Sequence, residues 1–312
     1  MSQAAVDLGT GTSIPVVDFA GFPGGEGTTR TAIAASIRRA FEDFGFFYLR
    51  NHGVSQRVLD ALFAKSRAFF ARPLETKTAA SGYSAPGYSA LDPTRPADLK
   101  EGFRVYPLRD LAPGHWPADT PAFRAALLGY YRAATATCSQ VMRAVAVALE
   151  LPEDYFVAAH DPHGGSAMLL HYPPLDGPPA DGQFRSGAHT DYGSITLLFH
   201  GGPAEGLEIQ GPDRTWLPVP SVPGAAIVNA GDLLQRWTND QLRSVLHRVV
   251  APTGSAATRS RYSAVLFYQP RYDAIITCLE VCQGQDRPPR YPPITAGQHI
   301  EGRIRDTRRT GY

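Results

Sequence analysis

Two histidines, an aspartate and an arginine carry the chemistry legible in this sequence. In HTDYGSITLLF (189–199) a histidine and a carboxylate stand two places apart at the head of an apolar run. Alternate side chains of a strand share a face, so His189 and Asp191 are expected to project together while Thr190 points away. A neutral imidazole beside a carboxylate makes two of the three ligands of a 2-His-1-carboxylate site, which grips iron(II) on one side and leaves the other open. His247 is the candidate for the third: in SVLHRVV it shares a strand face with Val245 and Val249. His52, His115, His160, His163, His171, His200 and His299 are read as structural. Further on, RYS (261–263) sets Arg261 and Ser263 on one face of the next strand. A guanidinium in an apolar strand is costly unless an anion meets it, and no nearby core strand offers an obvious Asp or Glu.

These residues need a rigid frame. SIPVVDF (13–19) and GFFYLRNHG (45–53) read as strands, with helices expected over 29–44 and 55–73, the second capped by Ser55 and stopped by Pro73. Residues 79–117 are dense in Gly, Pro and Tyr without a sustained period and read as a long loop. Thr120 to Leu149 should form the longest helix. After residue 165 the chain becomes short β-prone runs punctuated by Gly, Pro or Asn, the spacing of a sandwich or jelly roll. The expectation is one mainly β domain with flanking helices: an α/β region over 13–118, a core over 165–280, and a C-terminal helix or tail over 281–312. Ile195, Leu197 and Phe199 are expected to continue the ligand-bearing face as a dry wall.

Composition narrows the partners. Thirty Lys plus Arg balance 29 Asp plus Glu, and no basic run suggests nucleic acid. No apolar stretch is long enough to span a bilayer, and the start lacks the basic and apolar regions of a signal peptide, so the expectation is a cytoplasmic protein. Cys138, Cys278 and Cys282 lack the spacing of a zinc site or a disulfide framework.

HTD, SVLHRV and RYS, in that order, together with IPVVDF, FGFFYLRNHGV, DLKEGF, HYPP, VNAGDLLQRWTND and TAGQHI, resemble the isopenicillin-N-synthase-like branch of the iron(II)/2-oxoglutarate-dependent dioxygenases over about residues 13–302. The resemblance implies a double-stranded β-helix (jelly-roll, cupin-like) core. It implies that His189, Asp191 and His247 hold iron(II), and that Arg261, Ser263 and Tyr172 bind 2-oxoglutarate. Leu170 stands where plant members commonly carry Asn. The implied reaction consumes O2 and 2-oxoglutarate, yields succinate and CO2, and hydroxylates or desaturates a small molecule. Tyr83, Tyr88, Phe103, Phe267 and Gln269 fall where the branch lines its substrate pocket. Two readings are open for Lys100 and Arg104, steering of an anionic substrate and solvated surface charge, and the second is favoured for both. Two alternatives remain open: an iron oxidase of the same branch that does without 2-oxoglutarate, and a β-barrel that only binds. Oligomeric state is not legible.

Overall fold

The computed structural model describes residues 5–7, 13–87, 95–106, 114–161, 165–202 and 205–308. The N-terminal part carries strands β1 (Ala5–Asp7), β2 (Ser13–Asp18) and β3 (Phe46–Arg50), helices α1 (Gly27–Asp43), α2 (Gln56–Phe70) and α3 (Leu74–Thr78), and strands β4 (Tyr83–Ser84) and β5 (Glu101–Val105). Helices α4 (Pro121–Ala148) and α5 (Tyr155–Ala158) lead to β6 (Ser166–Tyr172), β7 (Ser186–His189), β8 (Ile195–His200), β9 (Leu207–Gln210), β10 (Trp216–Pro218) and β11 (Ala225–Ala230). Helix α6 (Asp232–Trp237), β12 (His247–Val249), β13 (Arg261–Tyr268), β14 (Ile275–Ile276), β15 (Ile294–Thr295) and α7 (Ala296–Arg308) complete the chain.

Helices α1, α2 and α4 form close to where expected, for local reasons. The Ser55 hydroxyl accepts a hydrogen bond from Val58 N at 3.4 Å and caps α2. Pro121 starts α4, where its missing N–H costs nothing, and the helix runs 28 residues, the longest among the described residues.

Nine strands in the order β1-β2-β3-β11-β8-β13-β6-β5-β4 make the major sheet, and β10-β9-β12-β7 make the minor one. The N-terminal strands are thus not a separate layer: β3 pairs antiparallel with β11 and extends the sheet of the core. Parity of the strands divides the apolar residues. Leu197, Phe199, Ala264, Leu266, Ala167 and Leu169 turn to the outer face and pack in the cluster that holds Phe41, Phe69, Tyr130 and Val141 from the helices. Leu198, Val265, Met168 and Ile227 turn to the opposite face, where a cavity opens.

Three expectations are corrected here. First, residues 101–105 lie inside the stretch read as loop, yet they form β5, paired with β6 from Glu101↔His171 to Val105↔Ala167. Second, HTDYG does not continue into one strand: β7 ends at His189, residues 190–194 turn, and β8 starts at Ile195. Asp191 therefore meets His189 through a turn and not through strand alternation. Third, Ile195, Leu197 and Phe199 face the helices, and Thr196 and Leu198 wall the cavity instead.

Candidate iron and 2-oxoglutarate site

The cavity lies between the two sheets, with a volume of about 1130 Å³. His189 from β7 and His247 from β12 are register partners in the minor sheet, their ring centroids 4.3 Å apart. Asp191 reaches them from the turn. Its Oδ1 lies 4.0 Å from His189 Nε2 and its Oδ2 3.9 Å from His247 Nε2, beyond hydrogen-bond length. One ligand atom from each of the three residues falls within 4.8 Å of the others.

Both rings are oriented the same way. His189 Nδ1 donates to Gly187 O at 2.8 Å, and His247 Nδ1 donates to Val245 O at 3.2 Å. A carbonyl only accepts, so each Nδ1 carries the proton and each Nε2 keeps its lone pair for a ligand. Burial, reinforced by His247, pushes the His189 imidazole down to about 3, so it stays neutral. Burial alone would raise the Asp191 carboxyl. The two imidazoles, with hydrogen bonds from Thr196 and Asn229, outweigh it and hold the acid below its usual range, ionised. Two imidazoles that present Nε2 and a carboxylate are the donor set of a facial iron(II) site, and they fit that ion.

The turn is clamped from below. Asp232 N donates to Asp191 O at 2.7 Å, Gly231 N to Ser194 O at 2.8 Å, and Leu233 N to Gly193 O at 3.0 Å. The start of α6 presses so closely that a Cβ on Gly231 would sit 2.4 Å from Gly193 O.

At the other end of β13, Arg261 is 4% exposed, yet Nε, Nη1 and Nη2 all lack a hydrogen-bond partner. Tyr172, its partner in register, lies with its ring 4.8 Å from the guanidinium. Leaving three donors of a buried cation unmet is expensive, and a carboxylate in the cavity would satisfy the fork in bidentate fashion. Ser263 sits two residues on, its hydroxyl 3.5 Å from His200 Nδ1. Burial, with the Arg261 charge, drives the His200 imidazole well below its ordinary value, so it adds no competing charge. This pocket fits a dicarboxylate reaching from the metal site to Arg261.

Of the residues expected in the substrate pocket, Tyr83, Phe267 and Gln269 line the cavity. Phe103 does not. It is fully buried on the other face of β5, in edge-on or tilted ring contact with Phe69, Trp116 and Phe123, because strand parity sends its neighbour Arg104 inward instead. Tyr88 and His163 lie outside the described residues. Lys100 and Arg104 are not surface charges: both line the cavity.

Sequence reasoning missed several contributors. Asn229 donates its side-chain amide to Asp191 Oδ2 at 2.7 Å, and a polar residue inside the apolar run AAIVNA was the available signal. Arg303 of α7 donates to Thr190 Oγ1 at 2.9 Å, and Ile300 and Ile304 of that helix line the cavity, so the C-terminal segment forms a wall. In sequence the mildly basic tail EGRIRDTRRTGY (301–312) has two readings, a cover over the mouth of the barrel and a disordered end, the second favoured; α7 carries Ile304 to the cavity wall.

Comparison with known proteins identifies the family. The family described as the 2OG-Fe(II) oxygenase superfamily matches residues 164–270, and that described as the non-haem dioxygenase in morphine synthesis N-terminal matches residues 14–122. The 2-oxoglutarate-Fe(II) type oxidoreductase hxnY of Emericella nidulans is 31% identical, over 93% of this chain and 89% of its own. A full-length Neurospora crassa protein crystallised in complex with alpha-KG superposes with a TM-score of 0.86 at 32% identity, over 97% of this chain and 99% of that one. The same Neurospora protein in complex with alpha-KG and thymine gives 0.84 at 30% identity, over 97% and 98%. The chain belongs to the 2OG-Fe(II) oxygenase superfamily. It is a 2-oxoglutarate-dependent dioxygenase with a double-stranded β-helix core, an oxidoreductase that takes iron(II), 2-oxoglutarate and O2. Among the readings open at the sequence level, this is the one these relatives share.

Proposed function

We propose that His189, Asp191 and His247 hold the iron(II), and that Arg261, flanked by Tyr172 and Ser263, binds the distal carboxylate of 2-oxoglutarate. The observation that carries this is the pairing of an open His-Asp-His cluster with a buried guanidinium whose donors are unmet, both on one cavity. Bound there, iron(II) supplies the oxidising chemistry that turns 2-oxoglutarate and O2 into succinate and CO2 while a substrate C–H bond is hydroxylated or desaturated.

The protein supplies the rest. The Gly187 and Val245 carbonyls hold both imidazoles in the tautomer that presents Nε2. Asn229 fixes the carboxylate. Arg261 orients the co-substrate, while Leu198, Ile227 and Val265 keep water from the reacting end. Tyr83, Phe267 and Gln269 form part of the substrate wall. The chain acts as one catalytic unit, because β2 and β3 of the N-terminal region join β11, β8, β13 and β6 of the core in one sheet.

The substrate is a small molecule, and the near-zero net charge offers no footprint for nucleic acid. Among the described residues no helix is long and apolar enough to cross a membrane. The three cysteines are free, as suits the reducing cytoplasm inferred for the chain.

The test is anaerobic addition of iron(II) and 2-oxoglutarate, which should produce a weak visible charge-transfer band. Asp191→Ala should abolish the band, and Arg261→Met should raise the 2-oxoglutarate Kd by roughly a hundredfold, the loss of a charge-assisted bidentate contact. An unchanged Kd in Arg261→Met would overturn the assignment.

A further inference from the structure

The cavity contains a second guanidinium that the iron and co-substrate do not use. Arg104 rises from β5 on the face shared with Met168 and Val265, its neighbours across β6 and β13. Its guanidinium lies 5.0 Å from the centroid of the Phe267 ring. Phe267 in turn pairs with Thr196, and Thr196 with Asn229, the residue that holds Asp191. Arg104 thus stands toward the metal end of the cavity. Arg261 lies six residues from Phe267 along β13, about 20 Å away at the rise of an extended strand. The two cations bracket the site.

Charge decides what Arg104 is for. Iron(II), the dianionic co-substrate, Asp191 and Arg261 cancel among themselves, so the loaded site has no anion to spare. Lys100 is already neutralised, its Nζ 2.8 Å from Asp98 Oδ2 and 2.7 Å from Ser186 Oγ. Arg104 is different. Among the described residues no carboxylate reaches it, and its donors go to the Tyr106 hydroxyl at 3.0 Å and the Met168 sulfur at 3.3 Å, a weak acceptor. A half-buried guanidinium held by a phenol, a thioether and a ring face lacks the anion that it is shaped to grip.

Resting on the iron and co-substrate assignments above, we propose that Arg104 reads a carboxylate on the oxidised substrate, which is therefore a small organic acid with an apolar body. The guanidinium takes the acid group in bidentate fashion. The body then lies over Phe267, Val265 and Leu198, turned toward the metal ligands. A monoanion matches the single charge of Arg104. A dianionic phosphate ester would need a second, and the adjacent Lys100 is engaged.

The experiment measures binding to the full chain loaded anaerobically with iron(II) and 2-oxoglutarate, using benzoate, 3-phenylpropanoate and octanoate, each against its own primary amide, with phenyl phosphate added. Calorimetry should show at least one acid binding tenfold or more tightly than its amide. Arg104→Met should erase that preference and Arg104→Lys should retain part of it, while the 2-oxoglutarate band persists in both and reports an intact site. The proposal is overturned if no acid outbinds its amide, if Arg104→Met keeps the preference, or if phenyl phosphate binds more tightly than every acid. Absence of the band in the unaltered protein would instead bring down the iron assignment, and this proposal with it.

Discussion

Asn229 donates to Asp191 Oδ2 at 2.7 Å from the middle of the major sheet, so the one carboxylate of the metal cluster is held by a strand it does not belong to. Asn229 is 3% exposed and has no solvent to fall back on. Groups that orient a ligand in this way tune metal affinity by about 10- to 100-fold. Asn229→Ala should therefore weaken iron(II) binding by that factor with the fold intact. Anaerobic metal titration monitored by the charge-transfer band checks it, and circular dichroism confirms the fold.

Acid sensitivity should come in part from a histidine outside the metal cluster. His160 is buried, stacked at 4.4 Å on Tyr268, with Nδ1 donating to Phe156 O at 2.6 Å and Nε2 facing Ser194 Oγ at 3.0 Å. Burial, opposed by the Phe156 carbonyl and aided by Arg271, pushes its imidazole down to about 4. The unfolded chain protonates it near the ordinary 6.5, so between those values the unfolded state binds more protons and stability rises with pH. His160 thus costs nothing above about pH 6.5 and destabilises progressively as pH falls toward about 4, by roughly 3 kcal/mol at full effect. Urea denaturation at about pH 7, 6 and 5 should show a smaller acid loss in His160→Phe than in the unaltered protein.

The pattern that was legible in sequence is local or enforced by cost. His189, His247 and Arg261 could be found because a ligand-type or charged side chain in an apolar strand demands a partner. The α1, α2 and α4 helices could be found because one face of each repeats at helical spacing. Strand β5 could not: EGFRV is short, carries two charges, and becomes a strand only through pairing with β6, more than sixty residues on in sequence. Missing it hid the parity that sends Phe103 to the helices and Arg104 into the cavity, so sequence alone puts Phe103 in the pocket and Arg104 on the surface. Asp191 reaches His189 by a route other than the one expected. Alternation places it beside His189, whereas the turn held by Gly231 and α6 does so in the fold.

The C-terminal helix should govern coupling more than stability. Arg303 Nε lies 3.2 Å from Asp232 Oδ2 while Nη2 reaches Thr190, the residue between two of the metal ligands. At 39% side-chain exposure the ion pair contributes under about 1 kcal/mol after screening. Arg303→Ala should lower the melting temperature only slightly. It should also loosen the wall formed by Ile300 and Ile304 and admit water, so that more succinate is released for each substrate molecule oxidised. Paired measurement of succinate and product gives that ratio. An unchanged ratio would show that the helix is only packed there.

Stability should be most sensitive at Glu101, which joins four elements. Its Oε2 accepts from Lys77 Nζ at 2.7 Å and from the Tyr83 hydroxyl, and its Oε1 pairs with His171 Nδ1 at 2.7 Å. The Lys77 and Glu101 side chains are 9% and 5% exposed, so neither charge can turn to water. Glu101→Leu would strand the ammonium and the Tyr83 hydroxyl together, a change that costs about 3–5 kcal/mol when one partner of a buried pair is removed. Lys77→Met combined with Glu101→Leu removes both charges and should recover much of that loss, because the desolvation of the pair disappears with it. Urea midpoints of the two single variants and the double variant check this through their coupling energy. Additive losses would mean that the pair is not the unit holding α3 to β5.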